Sequence, residues 1–146
     1  LNPAPAAELP DELLRKIDIV TPNETEAQAL TGVKIDTEAD ALRAASVFHG
    51  KGIARVVITL GSMGAFASDG GRHELIPRIP VDAVDTTGAG DAFSGGFAMA
   101  LAEGKDLFTA LRYGNVTGAL AVTRVGTAPA MPARAEIDAM YEATYA

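Results

Sequence analysis

The residues best suited to chemistry are Thr86-Thr87-Gly88-Ala89-Gly90-Asp91. Two glycines around one small residue let backbone amides converge on an anion where a helix begins. An aspartate in the first turn of that helix is favoured by the helix dipole. An anion cradle beside a carboxylate suits phosphoryl transfer to a hydroxyl. The amides stabilise charge on the transferred group, and the carboxylate accepts the hydroxyl proton. A glycine-rich turn with Asp91 serving only the helix end accounts for the same residues. Two better-known motifs do not fit. A dinucleotide fingerprint needs a third glycine where Phe93 stands, and a P-loop needs Lys-Ser/Thr where Gly96-Phe97 stand.

Thr21-Pro22-Asn23-Glu24-Thr25-Glu26 is a second candidate. Asn23 and Glu26, three apart, share one face at a helix start. Together they suit a hydrated Mg²⁺, which keeps several waters and few protein ligands. The same pair also reads as a capping box with Asn23 as N-cap. Thr59-Leu60-Gly61-Ser62-Met63-Gly64 is the third. Its glycines allow close backbone approach to a ligand, and Thr59 and Ser62 offer hydroxyls. A tight turn between strands is the alternative. His49, near a helix end, and His73 are expected at the surface with no role.

These segments need strand ends and helix starts to hold them. The pattern predicts a helix over Pro10 to Lys16, a strand over Ile17 to Val20, and a helix opened by Pro22 and ended by Gly32. Thr37 caps a third helix bearing Ala41, Leu42, Ala45, Val47 and Phe48. Arg55 to Leu60 reads as a buried strand of the parallel type. Ala65 to Ser68 and His73 to Ile76, joined by Asp69-Gly70-Gly71, read as a hairpin. A last strand is expected over Val81 to Val84. Helices are expected over about Gly90 to Glu103, Leu107 to Thr123 and Ala133 to Tyr145. Strands alternating with helices predict an α/β fold: a mostly parallel sheet with an antiparallel hairpin and helices on both faces.

Composition narrows the partners. The 146 residues are 48% hydrophobic and 21% charged, enough apolar material for a core. Twelve Lys+Arg against 19 Asp+Glu leave a net charge of −7, which repels phosphate backbones and argues against nucleic acid. With no cysteine and two histidines, thiolate chemistry and a histidine-rich zinc site are excluded. No apolar run approaches the ~18 residues of a membrane span, so no membrane partner and a cytoplasmic location are expected. The start Leu1-Asn2-Pro3-Ala4-Pro5 reads like a strand end entering a loop, as expected within a longer chain.

In this order and spacing, the three segments resemble the ribokinase family of sugar kinases, the phosphofructokinase-B type. The stretch Asp85 to Phe93, Asp-Thr-Thr-Gly-Ala-Gly-Asp-Ala-Phe, carries the family signature. The resemblance runs through nearly the whole chain, including Leu1 to Pro5 and Ala121-Val122-Thr123-Arg124. It implies a ribokinase-like three-layer sandwich, of which residues 1–146 form the C-terminal, nucleotide-binding portion. It further implies ATP-dependent phosphorylation of D-ribose at the 5-hydroxyl, with Mg²⁺, K⁺ activation and a homodimeric parent.

By the same resemblance Asp91 is the general base, and Gly88, Ala89 and Gly90 are the anion hole. Asn23 and Glu26 organise Mg²⁺ and phosphates, Glu26 through water. Thr59, Gly61, Ser62 and Gly64 form the nucleotide loop, and Asn115 lies beside the adenine. Asp85 and Thr87, with the backbone around Ala121, Arg124 and Gly126, form the K⁺ site. Ala130 departs from that pattern, replacing a serine found in some members. The sugar-contacting half and its lid are expected upstream of Leu1. The chain alone is therefore expected to be inactive, with an unpaired sheet edge. A sibling kinase acting on another sugar or a nucleoside, and a non-catalytic nucleotide-binding fragment, are the rival readings.

Overall fold

The computed structural model describes all residues, Leu1–Ala146, in two compact units, Leu1–Pro77 and Arg78–Ala146. The first unit holds the sheet. In chain order it contains α1 (Asp11–Leu14), β1 (Ile19–Val20), α2 (Glu24–Thr31), α3 (Glu38–Gly50), β2 (Arg55–Thr59), β3 (Ala65–Ser68) and β4 (His73–Ile76). Strand order is β1-β2-β3-β4, with β1 parallel to β2 and the other two pairings antiparallel. The sheet is thus mixed. The expectation of a mostly parallel sheet fails in this chain, because β2 leads into a hairpin rather than a helical crossover. The expected hairpin, Ala65–Ser68 with His73–Ile76, forms at those residues, with Ser68 opposite His73. The outer edge of β1 is partly paired: Leu1 N donates to Ile19 O at 2.7 Å, and Leu1 O accepts from Thr21 N at 2.9 Å.

Helix ends follow from their capping residues. Asn23 and Thr37 each accept a bond from the amide three residues on, and the acid at that position answers to the cap's own amide. The unit's core gathers Val20, Ala44, Phe48, Ile53, Val56, Ile58 and Phe66, where α3 packs on β2 and β3. His49 departs from its expected surface position. The last turn of α3 brings its ring among polar groups of the core rim, with Nδ1 2.8 Å from Ile53 O and Nε2 2.9 Å from Ser68 Oγ. His73 is exposed as expected and stacks on Phe66.

The second unit contains α4 (Ala89–Ala102), α5 (Leu107–Ala121) and α6 (Arg134–Tyr145). Residues Val81 to Val84 do not form the expected strand. Pro77 and Pro80 remove backbone donors just before them, and the Val84 amide bonds Val122 O, at the end of α5, at 2.7 Å. Helix α4 buries Ala92, Phe93, Gly96, Phe97 and Ala100, a helical stripe lying on α5. Glycines set how close the two helices come. A Cβ on Gly114 would stand 3.0 Å from the Phe93 ring, and one on Gly118 3.4 Å from Ala89 O. Close approach therefore reaches the first turn of α4.

Candidate active site

In the first unit, two of the three sequence candidates meet. β1 and β2 are parallel neighbours, so the segments leaving their carboxyl ends lie side by side, where ligands of open α/β sheets bind. Thr59 N donates to Pro22 O at 3.0 Å, and Asn23 pairs with Thr59 as a parallel bridge. Beyond Thr59 the chain turns through a short 3₁₀ segment, Gly61–Met63, closed by Leu60 N donating to Gly64 O at 2.8 Å.

The capping box at α2 is formed. Asn23 Oδ1 accepts from Glu26 N at 2.8 Å, and Glu26 Oε2 accepts from Asn23 N at 2.9 Å. Capping uses one site of a carboxylate that offers about four. The structural role therefore does not displace a water-mediated metal role. Glu24 went unnoticed in the sequence. Its Oε1 lies 3.4 Å from where a Cβ on Gly61 would stand, placing a second carboxylate against the turn. Only the acidic spacing of Glu24 and Glu26 hinted at it.

In the second unit, Gly88 precedes α4 with φ 77°, in the left-handed region. A Cβ there would stand in ordinary contact with Thr127, 3.4 Å from its Cγ2, so it is the backbone conformation that calls for glycine. No side chain caps this helix, in contrast to α2, α3 and α5, capped by Asn23, Thr37 and Asp106. Gly90 has open space above its Cα, and Asp91 is exposed in the first turn. Amides at an uncapped helix start and small residues suit an anion, and the Asp91 carboxylate stands beside them.

Asp85 ties the loop before α4 to the turn after α5. Its Oδ1 accepts from Thr87 N and its Oδ2 from Gly126 N, both at 2.9 Å. These amides, Gly126 first, hold the carboxyl below the usual aspartate range. A depressed carboxylate supports the fold above its unfolded value, and that support is lost as pH falls through the folded one. In the same turn Arg124 N donates to Ala121 O at 3.2 Å, so Asp85, Thr87, Ala121, Arg124 and Gly126 do come together. Ala130 is buried in the following 3₁₀ turn.

Asn115 lies on α5 apart from that loop, 9% exposed, with Nδ2 donating to Tyr145 Oη at 2.9 Å. Tyr145 was not singled out in the sequence. The i,i+4 spacing of Tyr141 and Tyr145 was visible, but its target was not.

The chain belongs to the pfkB family of carbohydrate kinases, whose family model matches residues 1–134. It is 53% identical over 136 residues to a ribokinase of Haemophilus influenzae, covering 93% of this chain and 44% of that protein. Arabidopsis thaliana ribokinase, solved with ribose and ATP, superposes with a TM-score of 0.86 at 38% identity, over 91% of this chain and 43% of that one. Phosphofructokinase-2 from Escherichia coli, solved with potassium, superposes with a TM-score of 0.81 at 26% identity, over 94% and 45%. The chain spans less than half the length of these relatives. No helix is long and apolar enough to cross a membrane.

Proposed function

We propose that this chain is the nucleotide-binding portion of a ribokinase, which transfers the γ-phosphoryl group of ATP to the 5-hydroxyl of D-ribose. The observation that carries this reading is 53% identity to a ribokinase across 93% of the chain. The fold reading that goes with it is a ribokinase-like three-layer sandwich. Turnover is assigned to an enzyme of the relatives' full length.

Asp91 accepts the proton of the attacking hydroxyl as its oxygen bonds to phosphorus and the bond to ADP breaks. Amides around Gly88, Ala89 and Gly90 take up charge on the transferred group, at a helix start that no side chain caps. Thr59, Gly61, Ser62 and Gly64 are assigned to the nucleotide, and Asn115 is assigned to the neighbourhood of an adenine. The donor set of Asn23 and Glu26 fits a hydrated Mg²⁺, which supplies charge neutralisation on the phosphates. The Asp85 carboxylate, with Thr87 and the carbonyls of the 121–126 turn, is an all-oxygen set suited to a monovalent cation.

Glu26→Gln separates the metal role from the capping role, because glutamine also completes a capping box. The expected result is a several-fold rise in the Mg²⁺ needed for half-maximal rate, with the melting temperature and ribose KM nearly unchanged. An unchanged Mg²⁺ requirement would leave Glu26 with the cap alone. The substrate assignment is tested by comparing kcat/KM for D-ribose, 2-deoxyribose, fructose and a nucleoside. Ribose is expected to lead, and a higher value for any other would reassign the enzyme to a sibling activity.

A further inference from the structure

Gly88 is a single left-handed residue between the Thr86-Thr87 loop and the first turn of α4. Glycine populates that region about as readily as the right-handed one, so its own chemistry does not keep it there. On its carboxyl side the helix holds it, with Ala92 N donating to Gly88 O at 2.9 Å. On its amino side Asp85 Oδ1 accepts from Thr87 N at 2.9 Å. Thr127 stands against the side of Gly88 that carries no side chain. The three atoms nearest to the place of a Cβ on Gly88 are Thr127 Cγ2, Cβ and Cα, at 3.4, 3.5 and 3.6 Å.

Thr127 is exposed, yet its backbone is held on both sides. Its carbonyl accepts from Ala130 N at 3.0 Å, closing the 3₁₀ turn Ala128–Ala130. The residue before it, Gly126, donates to Asp85 Oδ2 at 2.9 Å. Three residues before it, Arg124 pairs with Glu136 on α6. A β-branched side chain has little freedom at χ1, so the methyl stays where this backbone puts it. The cation set of Asp85, Thr87 and the 121–126 turn makes no use of the Thr127 side chain. We propose that Thr127 is a positioning residue for the anion loop: its γ-methyl braces Gly88 in the left-handed conformation and so keeps the amides of Gly88, Ala89 and Gly90 aimed at the transferred group. The inference rests on the assignment of those amides to the anion. A loop without the brace still admits both substrates but meets the transferred group less often in the reactive geometry, so the loss falls on kcat.

The test measures kcat, the KM values for ATP and D-ribose, and the melting temperature of the full-length kinase and its Thr127→Ser, Thr127→Val and Gly88→Ala variants, with Mg²⁺ and K⁺ in excess. Serine removes the methyl and keeps the hydroxyl, whereas valine keeps the branch and removes the hydroxyl. Because Thr127 is exposed, neither change should unfold the protein. The expected result for Thr127→Ser is a kcat lowered about ten-fold, short of the roughly 10²-fold that a misplacement of about 1 Å costs, with both KM values and the melting temperature nearly unchanged. Thr127→Val should keep the parent kcat, and Gly88→Ala, strained by its left-handed backbone, should lose more than Thr127→Ser. If Gly88→Ala loses kcat and Thr127→Ser does not, the inference on Thr127 is overturned while the amides keep their assignment. A loss in Thr127→Val equal to that in Thr127→Ser would overturn it too, because valine retains the methyl. A Thr127→Ser variant whose melting temperature falls and whose KM values rise together with the loss of kcat would make the contact a structural tie and overturn it as well. If none of the variants alters kcat, the assignment of the amides fails first and Thr127 falls with it.

Discussion

Asp91→Ala in the full-length kinase is expected to reduce ribose phosphorylation by about 10²–10⁴-fold, the usual cost of removing a general base. Nucleotide binding should survive, because the amides around Gly88 and Gly90 come from the backbone and the substitution leaves them in place. The rival explanation of Asp91 gives a different result. A carboxylate in the first turn of a helix, acting only on the dipole, contributes about 0.3–1 kcal/mol to stability and nothing to turnover. The variant would then melt a few degrees earlier and keep its rate. Steady-state kinetics with ribose, alongside ATP titration by calorimetry and a thermal melt, distinguish the two. Asp91 sits exposed, third in α4, at a helix start with no side-chain cap, and both explanations begin from that placement.

A second large effect is expected in the helix pair behind that loop. Gly96→Ala should destabilise the protein by about 1–3 kcal/mol, the range for forcing a methyl group into a packed interface. The new Cβ would stand 2.0 Å from Thr117 Oγ1, 2.6 Å from Thr117 Cβ and 3.0 Å from Tyr113 O. Rotating Thr117 does not remove the contact with its Cβ, and the Tyr113 carbonyl is backbone. Thr117 Oγ1 also donates to Tyr113 O at 2.7 Å, so displacing it breaks a buried hydrogen bond. Gly95 supplies the control. A Cβ there meets nothing within 4 Å, so Gly95→Ala should be neutral or gain up to about 1 kcal/mol from better helix propensity. Denaturant melts of the two variants should move in opposite directions or differ by more than about 1 kcal/mol. Equal effects would mean that α4 and α5 do not pack at the distance described.

The lost activity of Gly96→Ala should follow its lost stability, because the same interface fixes where the first turn of α4 sits. Gly118 brings α5 against Ala89 O, inside the segment assigned to the anion. The helix pair is in this sense the scaffold of the loop, and a change in its spacing moves the amides and Asp91 together.

Local signals in the sequence were reliable where the physics is local. Asn23 and Thr37 start helices because their side chains satisfy amides only three residues away. The hairpin follows from the turn residues Asp69-Gly70-Gly71, where the Asp69 carboxylate accepts from Gly71 N and Arg72 N at 2.9 and 2.7 Å. Val81 to Val84 has strand-like residues but no neighbouring strand to pair with, and its last amide goes to a helix end. The share of antiparallel pairing exceeds the expectation because β2 looks the same in sequence whether the strand beside it runs with it or against it. His49 carries no sign in its neighbours that Ser68 will face it, 19 positions away. The same limit applies to the candidate site. The Gly88 turn and the first turn of α4 were readable in the residues themselves. The closure of Asp85 on Gly126, 41 positions away, followed only from the family resemblance, and the hold of Tyr145 on Asn115 from neither. Contacts made by tertiary packing leave little trace in a single sequence.

The most direct measurement is the fate of the γ-phosphoryl group when the full-length kinase is given ATP, Mg²⁺ and D-ribose, followed by phosphorus NMR. ADP and a sugar phosphate are expected to form in equal amounts, with the phosphate on the 5-hydroxyl, and ATP is expected to stay nearly intact when ribose is left out. ATP consumed at the same rate without the sugar, or no phosphate appearing on ribose while another hydroxyl compound is phosphorylated, would contradict the proposed function.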